Sequence, residues 1–174
     1  MNKLIVLLRG VNIGSNQLKM SALRDALTAA GFEDVETYIQ SGNVLLRSEE
    51  DVAVVSARIS ELISTNFGLD IPELTLTQEQ LKATLAGNPY PTDQGHVYFT
   101  YLLSEPQQQH AEALAITSYP GEHFTQGDGV IYFYPENGYG RAKLNNNVFE
   151  QKLQVAATTR NYKTMSKLLD MAKL

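Results

Sequence analysis

The sequence has no cysteine and only three histidines in 174 residues. Without a thiol there is no disulfide, no thiolate zinc site and no cysteine nucleophile. Such a chain suits a reducing compartment, and a cytoplasmic location is expected. His96, His110 and His123 lack any paired ligand spacing, so no metal site is expected. Net positive charge is missing too: 14 Lys and Arg against 19 Asp and Glu give −5. Proteins that bind nucleic acid through bulk electrostatics are usually basic, so any such role must rest on a local patch. Long apolar runs are absent. Leu4 to Leu8 is interrupted at Arg9, too soon for a signal-peptide core or a membrane span. Neither a targeting segment nor a membrane partner is therefore expected. No charge block or low-complexity tract marks a disordered tail.

What is present suits a soluble globular fold: 43% hydrophobic and 19% charged residues can build a core for one domain or two small halves. Leu4 to Leu8 reads as a central strand, apolar on both faces. Ser21 can cap a helix carrying Ala22, Leu23, Ala26, Leu27 and Ala30, stopped by Gly31. Strands over Val35 to Gln40 and Asn43 to Ser48 meet across Ser41-Gly42 as a hairpin. Acidic Glu49 to Asp51 start a helix that runs on Val52, Val55, Ile59, Leu62, Ile63 and Phe67 to Gly68, and Ile71 to Thr77 is a fourth strand. The order is β-α-β-β-α-β, the ferredoxin-like unit.

Thr77-Gln78-Glu79-Gln80 forms a capping box for a short helix ending near Gly87, and Asn88 to Thr92 breaks regular structure. The same order then returns. Strands are expected at His96 to Leu103, Glu122 to Gln126, Val130 to Tyr134 and Val155 to Thr159. Helices are expected at Glu105 to Ile116, around Leu144 to Leu153, and over Met165 to Ala172. The expected fold is α+β: two ferredoxin-like halves with antiparallel sheets, plus a linking helix and a C-terminal helix. Residues 1–77 form half one, 78–92 the linking helix and loop, and 93–174 half two with the terminal helix.

In the usual ferredoxin-like strand order 4-1-3-2, the end of strand one lies beside the hairpin between strands two and three. That edge collects Arg9, Gly10, Asn12, Gly14 and Lys19 with Gln40, Ser41 and Asn43. A second edge collects Arg141 and Lys143 with Arg160 and Asn161. Arginine forks, amides, glycine backbones and a helix N-terminus suit phosphate or carboxylate recognition. The bland account is ordinary turn chemistry, glycine for positive φ and asparagine for local hydrogen bonds.

Other motifs fail. Gly10 to Gly14 fits neither the dinucleotide nor the P-loop spacing, and Gln40-Ser41-Gly42 is not a nucleophile elbow. Tyr98, Phe99 and Tyr101 with Tyr132, Phe133 and Tyr134 lie on the two central strands that carry stacking rings in an RNA-recognition sheet. Tyr98 is expected on the same side as Tyr132 and Tyr134. The full aromatic motif is absent, and packing is the better account of these rings.

Several segments recur as a set: Leu7 to Gly14, Lys19 to Arg24, Gly31-Phe32, Tyr38 to Val44, Gly140-Arg141-Ala142-Lys143-Leu144 and Ala157 to Tyr162. In these the chain resembles a bacterial family catalogued as domain of unknown function 1697. Ser15, Ala142 and Tyr162 stand where that family often has glycine, serine and tryptophan. The resemblance implies a cytoplasmic α+β protein of two ferredoxin-like halves, with no biochemical activity attached. Its characteristic residues fall on the two edges, which favours a binding site over ordinary turns.

The expected function is to bind an anionic, phosphate-bearing ligand, a nucleotide or RNA, at a cleft between the halves, without a cofactor. One alternative is an enzyme acting on a phosphate-bearing small molecule without metal, with Arg9, Arg141 or Arg160 stabilising developing charge. It ranks lower because no nucleophile or acid–base pair is recognisable. The other is a protein–protein adaptor. The sequence sets no oligomeric state.

Overall fold

The structure, a computed structural model, describes residues 1–173. The chain divides into two compact units, residues 1–83 with the end of the last helix from Lys167, and Thr84–Ser166. The first unit runs β1 (Asn2–Leu8), α1 (Met20–Ala29), β2 (Glu33–Tyr38), β3 (Asn43–Ser48), α2 (Val52–Phe67) and β4 (Glu73–Thr77). Its sheet is antiparallel with order β2-β3-β1-β4. Leu4, Val6 and Leu8 of β1 join Val44 and Leu46 of β3 under Leu23, Leu27, Val55, Ile59 and Ile63 of the two helices. Ile5, Leu7 and Leu45 point to the other face and are buried as well. The unbroken apolar run in β1 is thus a strand covered on both sides. Each such side chain contributes about 1.5–3 kcal/mol by leaving water.

α3 (Gln78–Ala86) starts from the expected capping box. Gln80 N–H donates to Thr77 Oγ1 at 3.1 Å, and Thr77 N–H to Gln80 Oε1 at 2.9 Å. The second unit then runs β5 (Tyr98–Leu102), α4 (Gln108–Ala115), β6 (Glu122–Gln126) and β7 (Val130–Pro135). A 3-10 turn (Tyr139–Arg141), α5 (Asn146–Leu153) and β8 (Ala157–Asn161) follow. Its sheet has order β6-β7-β5-β8, again antiparallel. Leu114, Ile131, Phe133, Leu144, Phe149 and Leu153 form its core. α6 (Tyr162–Ala172) ends the described chain. The expected fold class holds in both units.

Boundaries differ where sequence signals were ambiguous. α1 begins at Met20, so Ser21 sits inside the first turn, and Lys19 takes the cap position without a side-chain cap. α4 begins only at Gln108, which leaves Pro106 outside. β2 starts at Glu33 and ends at Tyr38, with a bulge between Glu33 and Glu36, which moves Gln40 into the hairpin turn. That turn needs Gly42: its φ is +86°, and a Cβ there would lie 2.8 Å from Leu8 Cβ. β8 lies two residues further along than expected, which places Arg160 and Asn161 within the strand.

The aromatic expectation is corrected by register. Tyr98 pairs with Phe133 and Phe99 with Tyr132, so Tyr98 and Tyr132 face opposite sides of the sheet. Tyr132 is only 8% exposed, and Tyr98 packs on Tyr139 with ring centroids 4.7 Å apart. No stacking platform of Tyr98 beside Tyr132 exists.

Candidate anion-binding site

In the first unit, β1 ends at Leu8 and the chain must turn before α1. Its Leu8 N–H donates to Gly42 O at 2.8 Å and Arg9 N–H to Pro72 O at 2.9 Å, which clamps the strand end between the hairpin and the entry to β4. From there φ alternates in sign. Gly10 is at +68°, Asn12 at +58° and Gly14 at +62°, with Val11 and Ile13 on the negative side. Glycine takes this region freely and asparagine is the side chain that tolerates it best. Alternating hand turns successive N–H groups toward one concave side, the arrangement called a nest.

Asn12 holds the loop in shape. Its Nδ2 donates to Gln40 O at 2.6 Å and its Oδ1 accepts from Leu18 N–H at 2.9 Å. Its own N–H donates to Asn16 O at 2.7 Å. Gln17 Nε2 donates to Gly14 O at 3.0 Å. Among the described residues, the N–H groups of Ile13, Gly14 and Ser15 meet no protein acceptor. Lys19 is exposed, and no carboxylate occurs between Arg9 and Lys19 or between Tyr38 and Asn43. The first turn of α1 holds no acidic residue to neutralise its positive end.

Asn43, fully buried, donates from Nδ2 to Tyr38 O and to Ser41 Oγ, both at 3.0 Å, and so braces the hairpin from inside. The structure thus brings Asn12 to Gln40 and Ser41 to Asn43, as the strand order predicts. Two side chains around the loop break the usual pattern. Ile13 is 74% exposed, and Ile39, also exposed, has φ +51°, unusual for a β-branched residue.

The second group of expected residues lies in the other unit and is more occupied. Lys143 and Leu144 N–H groups donate to the Glu122 carboxylate at 3.0 and 2.8 Å, so this backbone already holds an internal anion. Lys143 Nζ stands 5.5 Å from the Tyr119 ring centroid. Arg141 is exposed and borders a pocket of about 310 Å³ with Pro120, Gly121 and Asn137. Arg160 is buried, donating to Thr158 Oγ1 at 2.7 Å and Thr159 O at 3.0 Å. Burial lowers its pKa to about 10, with neighbouring Tyr101 acting the other way. Asn161 Oδ1 accepts from Thr164 N–H at 2.8 Å and caps α6. Sequence reading missed Glu122, because the acid and its donors are 21 or more positions apart. Among the described residues, no group of three or more His, Asp or Glu stands ready to hold a metal, and no helix is long and apolar enough to cross a membrane.

A family model described as "Protein of unknown function (DUF1697)" matches residues 1–132, ending before the Gly140 and Ala157 segments. Among solved structures, the conserved bacterial protein SP0830 from Streptococcus pneumoniae is similar at a TM-score of 0.82 and 25% identity, over 100% of this chain and 99% of that one. No curated protein matches the chain.

Proposed function

This chain belongs to the DUF1697 family, and from that premise we propose that it binds a phosphate-bearing anion, free or at the end of a nucleotide or RNA, in the loop between β1 and α1. One observation carries the reading: φ alternates across Gly10 to Gly14 while the N–H groups of Ile13, Gly14 and Ser15 have no internal acceptor. Free N–H groups on a loop of alternating hand suit a phosphoryl oxygen. Lys19 supplies a mobile point charge at the loop's far end, and Arg9 a second cation at its start. Asn12, Gln40, Ser41 and Asn43 shape the loop and its hairpin brace, while Gly10 and Gly14 permit the backbone. Arg141 and Lys143 are exposed cations of the second unit, apart from this loop in the reading proposed here. Arg160 and Asn161 are assigned to sheet and helix structure there. The lack of cysteine fits a cytoplasmic setting, which we adopt.

Isothermal titration with inorganic phosphate, nucleoside mono- to triphosphates and a 5′-phosphorylated RNA oligomer tests the proposal. A charge-assisted contact contributes about 1.5–3 kcal/mol, so Lys19→Gln is expected to weaken binding about tenfold or more. Gly14→Ala forces a side chain into positive φ where space is open, and should weaken binding without unfolding the protein. Absence of heat and of thermal stabilisation with every anion would remove the proposal.

A further inference from the structure

We infer that the phosphate held by the β1–α1 loop is one end of a phosphomonoester whose ester group is apolar, an alkyl chain or a flat ring, and that Ile13 and Ile39 are its contacts. This rests on the phosphate reading of the loop and names the kind of molecule that carries the phosphate. Ile39 is the starting observation. Among the described residues, Asn12, Asp34, Ile39 and Gln154 are the side-chain-bearing residues at positive φ, and only Ile39 is β-branched. A branched Cβ at φ +51° crowds the backbone, which is why such turns take glycine or asparagine. Its side chain is 50% exposed, so burial offsets only part of that strain.

The surroundings hold the strain in place. Tyr38 O accepts from Asn43 Nδ2 at 3.0 Å and Gln40 O from Asn12 Nδ2 at 2.6 Å, so the carbonyls on both sides of Ile39 are pinned. The fold itself does not ask for an apolar residue here. The second unit has the same hairpin beside the end of its first strand. There Leu102 N–H donates to Gly129 O at 2.9 Å, where Leu8 N–H donates to Gly42 O at 2.8 Å in the first unit. That second hairpin turns on Gly127, Asp128 and Gly129, all exposed and none apolar beyond backbone. Strain kept where neither stability nor solubility favours it points to function.

Ile13 supplies the second contact. It is 74% exposed, and the bond from Asn12 to Gln40 O joins its loop to the turn of Ile39, each isoleucine standing one residue from that bond. Single exposed apolar residues are ordinary. Two of them on tied loops, beside N–H groups without an internal acceptor, offer a phosphomonoester an apolar surface next to its phosphate. A polyol ester would set hydroxyls against these side chains and strip their water without a partner. Each methylene buried is worth about fourfold in affinity, so covering about two carbons gains an apolar ester about tenfold over inorganic phosphate.

Isothermal titration of the full chain with inorganic phosphate, glycerol 3-phosphate, n-butyl phosphate and phenyl phosphate tests this. Butyl or phenyl phosphate should bind about tenfold tighter than the other two, and the better of them tells an alkyl chain from a flat ring. Ile39→Asn places at positive φ a side chain that tolerates it. It should cut the ratio of apolar-ester to phosphate affinity several-fold, with a urea midpoint equal to or above that of the wild type. Ile13→Ser should cut the same ratio, and it decides if Ile39→Asn fails to fold. Phosphate binding without preference for apolar esters, or a ratio indifferent to both substitutions, would overturn the inference and leave the phosphate reading standing. A folded Ile39→Asn with a lower urea midpoint would put that side chain in the service of the fold and overturn it too. Self-association of the wild type that Ile39→Asn abolishes, with no ester preference, would assign the pair to a protein contact instead. Absence of heat with phosphate and with every ester would remove the phosphate reading and this inference with it.

Discussion

Asn12 shows how much one side chain can be asked to do. It holds φ at +58° and joins two loops through Gln40 O and Leu18 N–H. Asn12→Gly keeps the backbone conformation available but loses both bonds. Each is worth about 0.5–1.5 kcal/mol, so the variant should be about 1–3 kcal/mol less stable in urea. Asn12→Ala should lose about 1 kcal/mol more, because a Cβ at positive φ is strained without the polar side chain that tolerates it. Equal stability of the two variants would show that the left-handed backbone relaxes and does not organise the loop. Both should weaken phosphate binding, since the N–H groups of Ile13 to Ser15 keep their direction only while Asn12 anchors the turn. Arg160 makes the contrasting case. A cationic side chain that looked like an exposed ligand is buried and hydrogen-bonded along its own strand.

At the level of elements, local signals were legible and register was not. The Thr77–Gln80 capping box, the Gly68 stop with φ +65° and the hairpin glycine at 42 depend on neighbours within a few residues, and all appear as read. Gly10, Gly14 and Asn12 were legible as turn chemistry for the same reason. β8 was not, because Val155 has the β-branched character of a strand start while the strand is positioned by distant pairing. Thr159 sits opposite Thr100, and the two hydroxyls hydrogen-bond at 2.8 Å. A two-residue shift then turned Asn161 from a loop residue into the cap of α6. Asn161→Ala should therefore cost about 1 kcal/mol of stability, measured by urea unfolding. Phosphate affinity should stay unchanged in titration. A loss of affinity with no loss of stability would restore Asn161 to the ligand-binding set.

For the molecule as a whole, alkaline pH is where stability and protonation couple visibly. Tyr98, Tyr101 and Tyr132, all in the second unit, have pKa values raised above the ordinary 10. Burial is the main cause in each case, with the Tyr139 phenol adding to it for Tyr98. At Tyr101, Thr84 and Arg160 pull the other way and Tyr132 adds to the rise, yet the buried hydroxyl completes no hydrogen bond. The folded state thus keeps protons that the unfolded chain releases above about pH 10, so folding stability is full below that pH and falls above it. Arg160 has the opposite sign. Its lowered value means the unfolded chain holds that proton longer, which offsets part of the loss above about pH 10. Net charge, already −5 at pH 7, grows more negative over the same range and adds a general repulsion. Tyr101→Phe separates these effects, because it removes the most strongly perturbed phenol and leaves the general charge almost unchanged. Urea midpoints followed from pH 8 to 11 should fall less steeply for Tyr101→Phe than for the wild type. At neutral pH the variant should be as stable as the wild type or up to about 1 kcal/mol more stable, since an unsatisfied buried hydroxyl is lost. A clear loss of stability at neutral pH would mean that this hydroxyl is bonded in solution, and identical alkaline slopes would place the proton release elsewhere in the chain.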